Sequence, residues 1–65
     1  MEGIVERLKQ AHAEHGEAVF TLFTLSGHAL SGRIAAIGDR IVLEMGSETA
    51  EIPQDRIEAF SLRLA

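Results

Sequence analysis

The spacing of apolar residues changes once along this sequence, and that change is the strongest constraint on its fold. Up to about residue 15 the apolar residues recur every three or four positions, which is the pattern of one buried face of a helix. From about residue 18 they alternate, which is the pattern of a β-strand. We therefore predict a helix over residues 3–15 and strands within residues 18–64. The residues on the predicted helix face are Ile4, Val5, Leu8, Ala11 and His12.

Turn residues divide the second part of the chain into five short strands. Glycines mark three tight turns, and Pro53 ends the fourth strand because proline cannot donate a ladder hydrogen bond. The first strand is apolar on both faces, which predicts cover on both sides, and Gly32 inside the second predicts a bend or bulge. The predicted strands cover residues 18–25, 29–37, 41–45, 49–52 and 58–64, with a short connection, one helical turn at most, at residues 54–56.

This order of elements predicts the fold class. One N-terminal helix and five short antiparallel strands are typical of a mostly β domain, a small and strongly bent five-stranded barrel. No linker or repeat interrupts the pattern, so residues 1–65 are predicted to form a single domain. A chain of 65 residues without cysteine is marginally stable alone, which favours association with other copies.

Composition excludes several classes of function. The net charge of −4 argues against a protein that binds polyanions by bulk positive charge. The absence of cysteine excludes disulfides and thiolate metal sites. No apolar run is long enough to span a membrane, and the first residues lack the pattern of a signal peptide, so we expect a cytoplasmic protein.

Candidate catalytic and metal sites are weak in this sequence. His12 and His15 lie three apart on the predicted helix, but a metal site needs a third ligand, so we interpret them as helix-surface residues. No catalytic triad or phosphate-binding loop stands out, and we predict neither enzymatic activity nor a cofactor. The aromatic residues Phe20, Phe23 and Phe60 are all predicted to lie in the core.

The glycine spacing in the second strand carries a family resemblance. Gly27 and Gly32 stand five residues apart, Ile34 follows two places later, and a turn with Asp39 leads into the hydrophobic residues 41–43. This outline resembles the first motif of the Sm-like family, in its bacterial Hfq and Lsm branch. Residues 52–57 faintly resemble the second motif.

The resemblance implies a homo-oligomeric ring and an RNA ligand. Family members form rings of about five to eight subunits, of which we favour a hexamer or heptamer here, and the fourth strand of one chain pairs with the fifth of the next. They bind single-stranded, uridine-rich RNA around the pore. This sequence departs from the usual pocket: Gly38 stands at the turn acid and Val42 at an asparagine, while Gln54 and Asp55 replace a Lys-His pair.

The remaining candidates for RNA contact are cations and polar residues near the predicted turns. Arg33 and Arg40 are predicted to flank the turn at Gly38–Asp39, where a ring would repeat them. The full set of candidate RNA-binding residues is His28, Arg33, Asp39, Arg40 and Arg56. Two alternatives stay open: an oligomeric scaffold or protein-interaction module that does not bind RNA, and a monomeric SH3-like or PRC-type adaptor.

Overall fold

A computed structural model describes residues 3–64 of the chain; Met1, Glu2 and Ala65, which belong to the predicted domain, lie outside the described residues. The chain forms one helix, five strands and a short 3₁₀ turn. In order these are α1 (Ile4–Glu14), β1 (Val19–Thr24), β2 (Ala29–Ile37), β3 (Arg40–Met45), β4 (Glu48–Pro53), the 3₁₀ turn (Gln54–Arg56) and β5 (Ile57–Arg63).

These bounds confirm the predicted order, and most strand ends lie within a residue of the prediction. The bounds of β2 are the predicted ones, because a turn residue stands at each of its ends. Pro53 is the last residue of β4, as its missing N–H requires. Leu64 was predicted inside the fifth strand, but β5 ends at Arg63 and Leu64 is 62% exposed.

Helix α1 is held by the apolar face that its spacing predicts. Leu8 is completely buried in the core, and Ile4 and Ala11 pack against that core half-buried. The helix ends where the backbone N–H of His15 donates to the carbonyl of Ala11 at 2.8 Å. It packs mainly against β5. Within residues 3–64 no helix combines the length and apolarity needed to cross a bilayer.

The five strands form one antiparallel sheet in the order β4-β3-β2-β1-β5. The sheet is strongly bent but does not close on itself, so β4 and β5 are its two borders. The predicted barrel is therefore open within one chain, because no ladder joins β4 to β5 in the described residues. The 3₁₀ turn alone connects these borders. Four Cα steps from Pro53 to Ile57 span at most about 15 Å, which brings the borders close together at that end.

The bend lies within β2, which is shared between two halves of the sheet. Its first half, through Gly32, pairs with β1, and its second half, from Arg33, pairs with β3. A register shift follows between Ile34 and Ala36, so the bulge lies beyond the predicted glycine. Gly32 serves another purpose. A Cβ there would overlap the backbone carbonyl oxygen of Glu44 and come within 2.9 Å of its carbon, so only glycine permits this close approach.

The core fills the inner face of the bent sheet and the underside of α1. It contains the buried residues Leu8, Ala18, Phe20, Leu22, Ile34, Ile41, Leu43, Ile52 and Ile57. The outer face of β1 is not covered in one chain: Val19 is 36% and Phe23 39% exposed. The prediction that β1 is covered on both sides is therefore wrong for a single chain, because α1 contributes Leu8 to the core on the inner side and the outer side chains Val19 and Phe23 stay exposed.

Candidate nucleic-acid interface

Three turns meet at the end of the sheet where its borders approach. The 3₁₀ turn contacts the β2–β3 turn through Gln54, whose backbone N–H donates to the carbonyl of Asp39 at 3.3 Å. The Gln54 side-chain amide donates to the carbonyl of Gly38. The β1–β2 turn reaches the same place, since the N–H of Leu25 donates to the carbonyl of Arg56 at 2.9 Å. The 3₁₀ turn thus connects the other two turns.

Three of the predicted site residues lie around this junction. Asp39 is exposed in the β2–β3 turn, and Arg40 begins β3 opposite Pro53, the residue before the 3₁₀ turn. Arg56 is the last residue of the 3₁₀ turn and is also exposed. With Asp55, which is exposed beside it, the junction carries two cations and two anions. A single copy therefore offers phosphate no net positive charge here, and any attraction depends on how repetition arranges the arginines.

Arg33 lies away from this junction. It stands inside β2 on the outer face, directly opposite Glu44 of β3. Five strand positions separate it from Gly38, about 16 Å along an extended chain. The prediction that Arg33 flanks the turn is wrong because β2 continues to Ile37 and places Arg33 inside the strand, opposite Glu44.

His28 is held in the β1–β2 turn by a small hydroxyl network. Its Nδ1 lies 3.0 Å from the hydroxyl of Ser26, which in turn lies 2.9 Å from the hydroxyl of Thr24. The backbone N–H of His28 donates to that Thr24 hydroxyl at 3.2 Å. Thr24 is buried, so the network anchors the exposed imidazole to the sheet. His28 is therefore an exposed, oriented side chain in the turn whose Leu25 N–H contacts the carbonyl of Arg56.

The exposed aromatic ring of Phe23 was missed by sequence reasoning. Phe20 is fully buried and Phe60 half-buried, with ring centroids 6.3 Å apart, as the prediction of a core position requires. Phe23 instead faces outward between Ala29 of β2 and Ala59 of β5. Between these small neighbours the ring is 39% exposed, and an exposed aromatic ring is a surface on which a flat base can stack. The alternation along β1 contained this information, because Phe23 lies on the opposite face of the strand from Phe20 and Leu22.

The two helix histidines are separated by their surroundings. His12 packs edge-on against Phe20, with ring centroids 6.2 Å apart, whereas His15 follows the last residue of α1. Among the described residues no group of three histidine, aspartate or glutamate side chains is arranged to hold a metal ion.

Comparison with known proteins gives a likeness among solved structures. No family model and no curated protein sequence matches this chain. Among solved structures, a crystal structure of Hfq, described as a pleiotropic translational regulator, superposes with a TM-score of 0.77. The likeness covers 97% of this chain and 100% of that one at 17% sequence identity. With its helix and its bent five-stranded sheet in the same order, this chain has the Sm-like fold of Hfq.

Proposed function

We propose that this chain assembles into a closed homo-oligomeric ring with a non-catalytic role, and that the ring binds single-stranded RNA. The observation that carries the proposal is the open sheet. In this Sm-like fold β4 and β5 are two different border strands, and each has a neighbouring strand on one side only. The ring size of about five to eight subunits and the cytoplasmic location stay predictions.

Exposed strand borders favour pairing between copies. A border strand carries backbone N–H and C=O groups that have no partner on one side, and it readily pairs with another strand. On β5, Phe60 and Leu62 are only half-buried, so a strand added beside them would remove further apolar surface from water. Because β4 and β5 are different surfaces, the contact is head-to-tail, and such contacts close into a ring when the rotation permits.

The mass in solution tests the assembly. We expect light scattering after gel filtration to give a multiple of the 7.1 kDa chain mass that stays constant over a range of loading concentrations. A mass near 7.1 kDa at every concentration would favour the monomeric adaptor instead.

The RNA surface that we propose combines the turn junction with the outer face of β1. Arg40 and Arg56 supply cations at the junction, and Phe23 supplies a stacking surface. His28 stands in the turn that follows β1, and Arg33 on the outer face of β2. A ring multiplies each contact, and linked weak sites give an avidity that one copy lacks.

RNA binding is tested with labelled oligo-uridine and oligo-adenine at about 50 and 200 mM salt, by fluorescence anisotropy. We expect the double variant Arg40→Ala, Arg56→Ala to bind at least about tenfold more weakly, with a shallower salt dependence. Arg7→Ala, which removes the same charge from an exposed position on α1, is the matched control for each arginine. Equal affinity of the double variant and wild type would contradict the assignment to the junction.

The acids at the junction favour a second candidate, a ring that does not bind RNA and serves as a scaffold. Asp39 and Asp55 balance the two arginines, and the whole chain carries a charge of −4. An intact ring that binds neither oligonucleotide at about 50 mM salt, where phosphate contacts are strong, would favour this candidate.

A further inference from the structure

A groove of about 340 Å³ crosses the outer face of β2, β1 and β5. Its floor is a row of hydroxyl side chains, since Thr21 stands opposite both Ser31 and Ser61. Thr21 and Ser31 are hydrogen-bonded at 2.8 Å. The lining is completed by Val19, Leu62 and Arg63 and contains no acid. A guanidinium beside hydroxyl donors suits a carboxylate, and the groove reaches the border of the sheet at β5.

The other border of the sheet carries such a carboxylate. In β4 the buried Ile52 faces inward, so its neighbour Glu51 faces outward, opposite Val42 of β3. Glu51 is the one ionisable residue in the outward row of β4. In the outward row of β5, formed by Ala59, Ser61 and Arg63, the ionisable residue is Arg63. Among residues 3–64 the ion pair formed within the chain joins Lys9 and Glu6, so neither Glu51 nor Arg63 takes part in one.

We propose that Glu51 of one copy pairs with Arg63 of the next at the end of this groove, and that the pair helps to fix how β4 and β5 align. The inference rests on the proposed ring. When an antiparallel neighbour extends a sheet, the outward rows of the two strands face each other, because both strands share one outer surface.

The pair selects among the alignments that this rule allows. Glu51 can stand opposite Ala59, Ser61 or Arg63, which are the outward positions of β5. When Glu51 stands opposite Arg63, the two side chains meet directly. When Glu51 stands opposite Ser61, Arg63 is its diagonal neighbour, about 7–8 Å away between backbones and within reach of long side chains. Opposite Ala59 the two charges are four positions apart and do not meet. The pair thus disfavours one alignment and stabilises the other two.

A charge exchange tests this inference. At about 50 mM salt, we expect Glu51→Arg and Arg63→Glu each to raise the concentration of half-dissociation about tenfold or more, because like charges then face each other. The double variant restores opposite charges at every contact between subunits. Its concentration of half-dissociation should therefore lie within about threefold of the wild-type value. An equimolar mixture of the two single variants should also recover assembly if the ring has an even number of subunits, because the variants can then alternate and each β4 meets a β5 of opposite charge; an odd ring would keep one like-charge contact.

The control for Glu51→Arg is Glu17→Arg, which makes the same change of net charge at an exposed residue between α1 and β1 and should leave assembly unchanged. Recovery in the double variant also rules out misfolding as the cause of the single effects. If wild type assembles and both single variants assemble equally well, the pairing inference is overturned while the ring stands. If wild type itself stays near 7.1 kDa, the proposed ring is what fails.

Discussion

Gly32 occupies a position in β2 where the backbone of β3 leaves no room for a side chain. The carbonyl of Glu44 takes the space that a side chain would need, and the Met45 side chain lies 3.1 Å from the same point. Neither backbone carbonyl nor strand can move away without breaking the ladder between β2 and β3. The close approach of β3 to β2 at this point therefore depends on the absence of a side chain at position 32.

We expect Gly32→Ala to lower the free energy of unfolding by about 1–3 kcal/mol, the usual cost of overpacking. Urea unfolding followed by circular dichroism measures the change. Gly38→Ala is the matched control, because no atom lies within 4 Å of its would-be Cβ. That control should be neutral or stabilising by about 0.4–1 kcal/mol through a less flexible unfolded chain. Equal effects of the two substitutions would contradict the role given to the close approach.

Among the elements, α1 depends most on the rest of the fold. It has 11 residues, and isolated helices shorter than about 12–15 residues are marginal in water. Its N-cap residue, Gly3, makes no side-chain hydrogen bond to the helix. The helix is therefore held by the packing of Leu8 and its neighbours against the sheet.

We expect Leu8→Ala to cost about 2–5 kcal/mol of folding free energy, since it removes a fully buried side chain. The far-UV circular dichroism at 222 nm should lose its helical part at a lower temperature than in wild type. Gln10→Ala, on the exposed side of α1, should change the midpoint little. Retention of wild-type helicity and stability in Leu8→Ala would contradict the packing argument.

The whole molecule is small enough that assembly and folding are expected to be coupled. A domain of 65 residues has a stability on the order of 3–10 kcal/mol, and contacts that bind only the folded chain add to it. We therefore expect the melting temperature to rise by several degrees between about 2 and 200 μM chain. A melting temperature independent of concentration would indicate that each copy is stable alone.

Much of the fold could be predicted from local pattern. The switch of period located α1 and the strands, and glycine and proline located the ends of β2 and β4. Sequence pattern did not predict which face of β1 is covered, because both faces are apolar and cover is set by elements far away in the chain. Phe23 was misassigned to the core for this reason.

The candidate site could be predicted only in part, because it depends on which turns meet. Asp39, Arg40 and Arg56 lie around one junction, but the sequence did not predict that the turns carrying them meet. The contact that brings the turns together is made by Gln54, and nothing in its neighbourhood in the sequence marks it. Arg33 seemed close in sequence, yet an extended strand carries it far from the turn within a few residues.

The two borders of the sheet are unlike, and this gives a closed ring a front and a back. In the ring that we propose, every copy would point in the same rotational direction, so the helices would all lie on the same side of the disc. A molecule that approaches from the helix side meets different chemistry from one that approaches from the other. A symmetric subunit border would have produced a disc with two equal sides, and this sheet excludes that outcome.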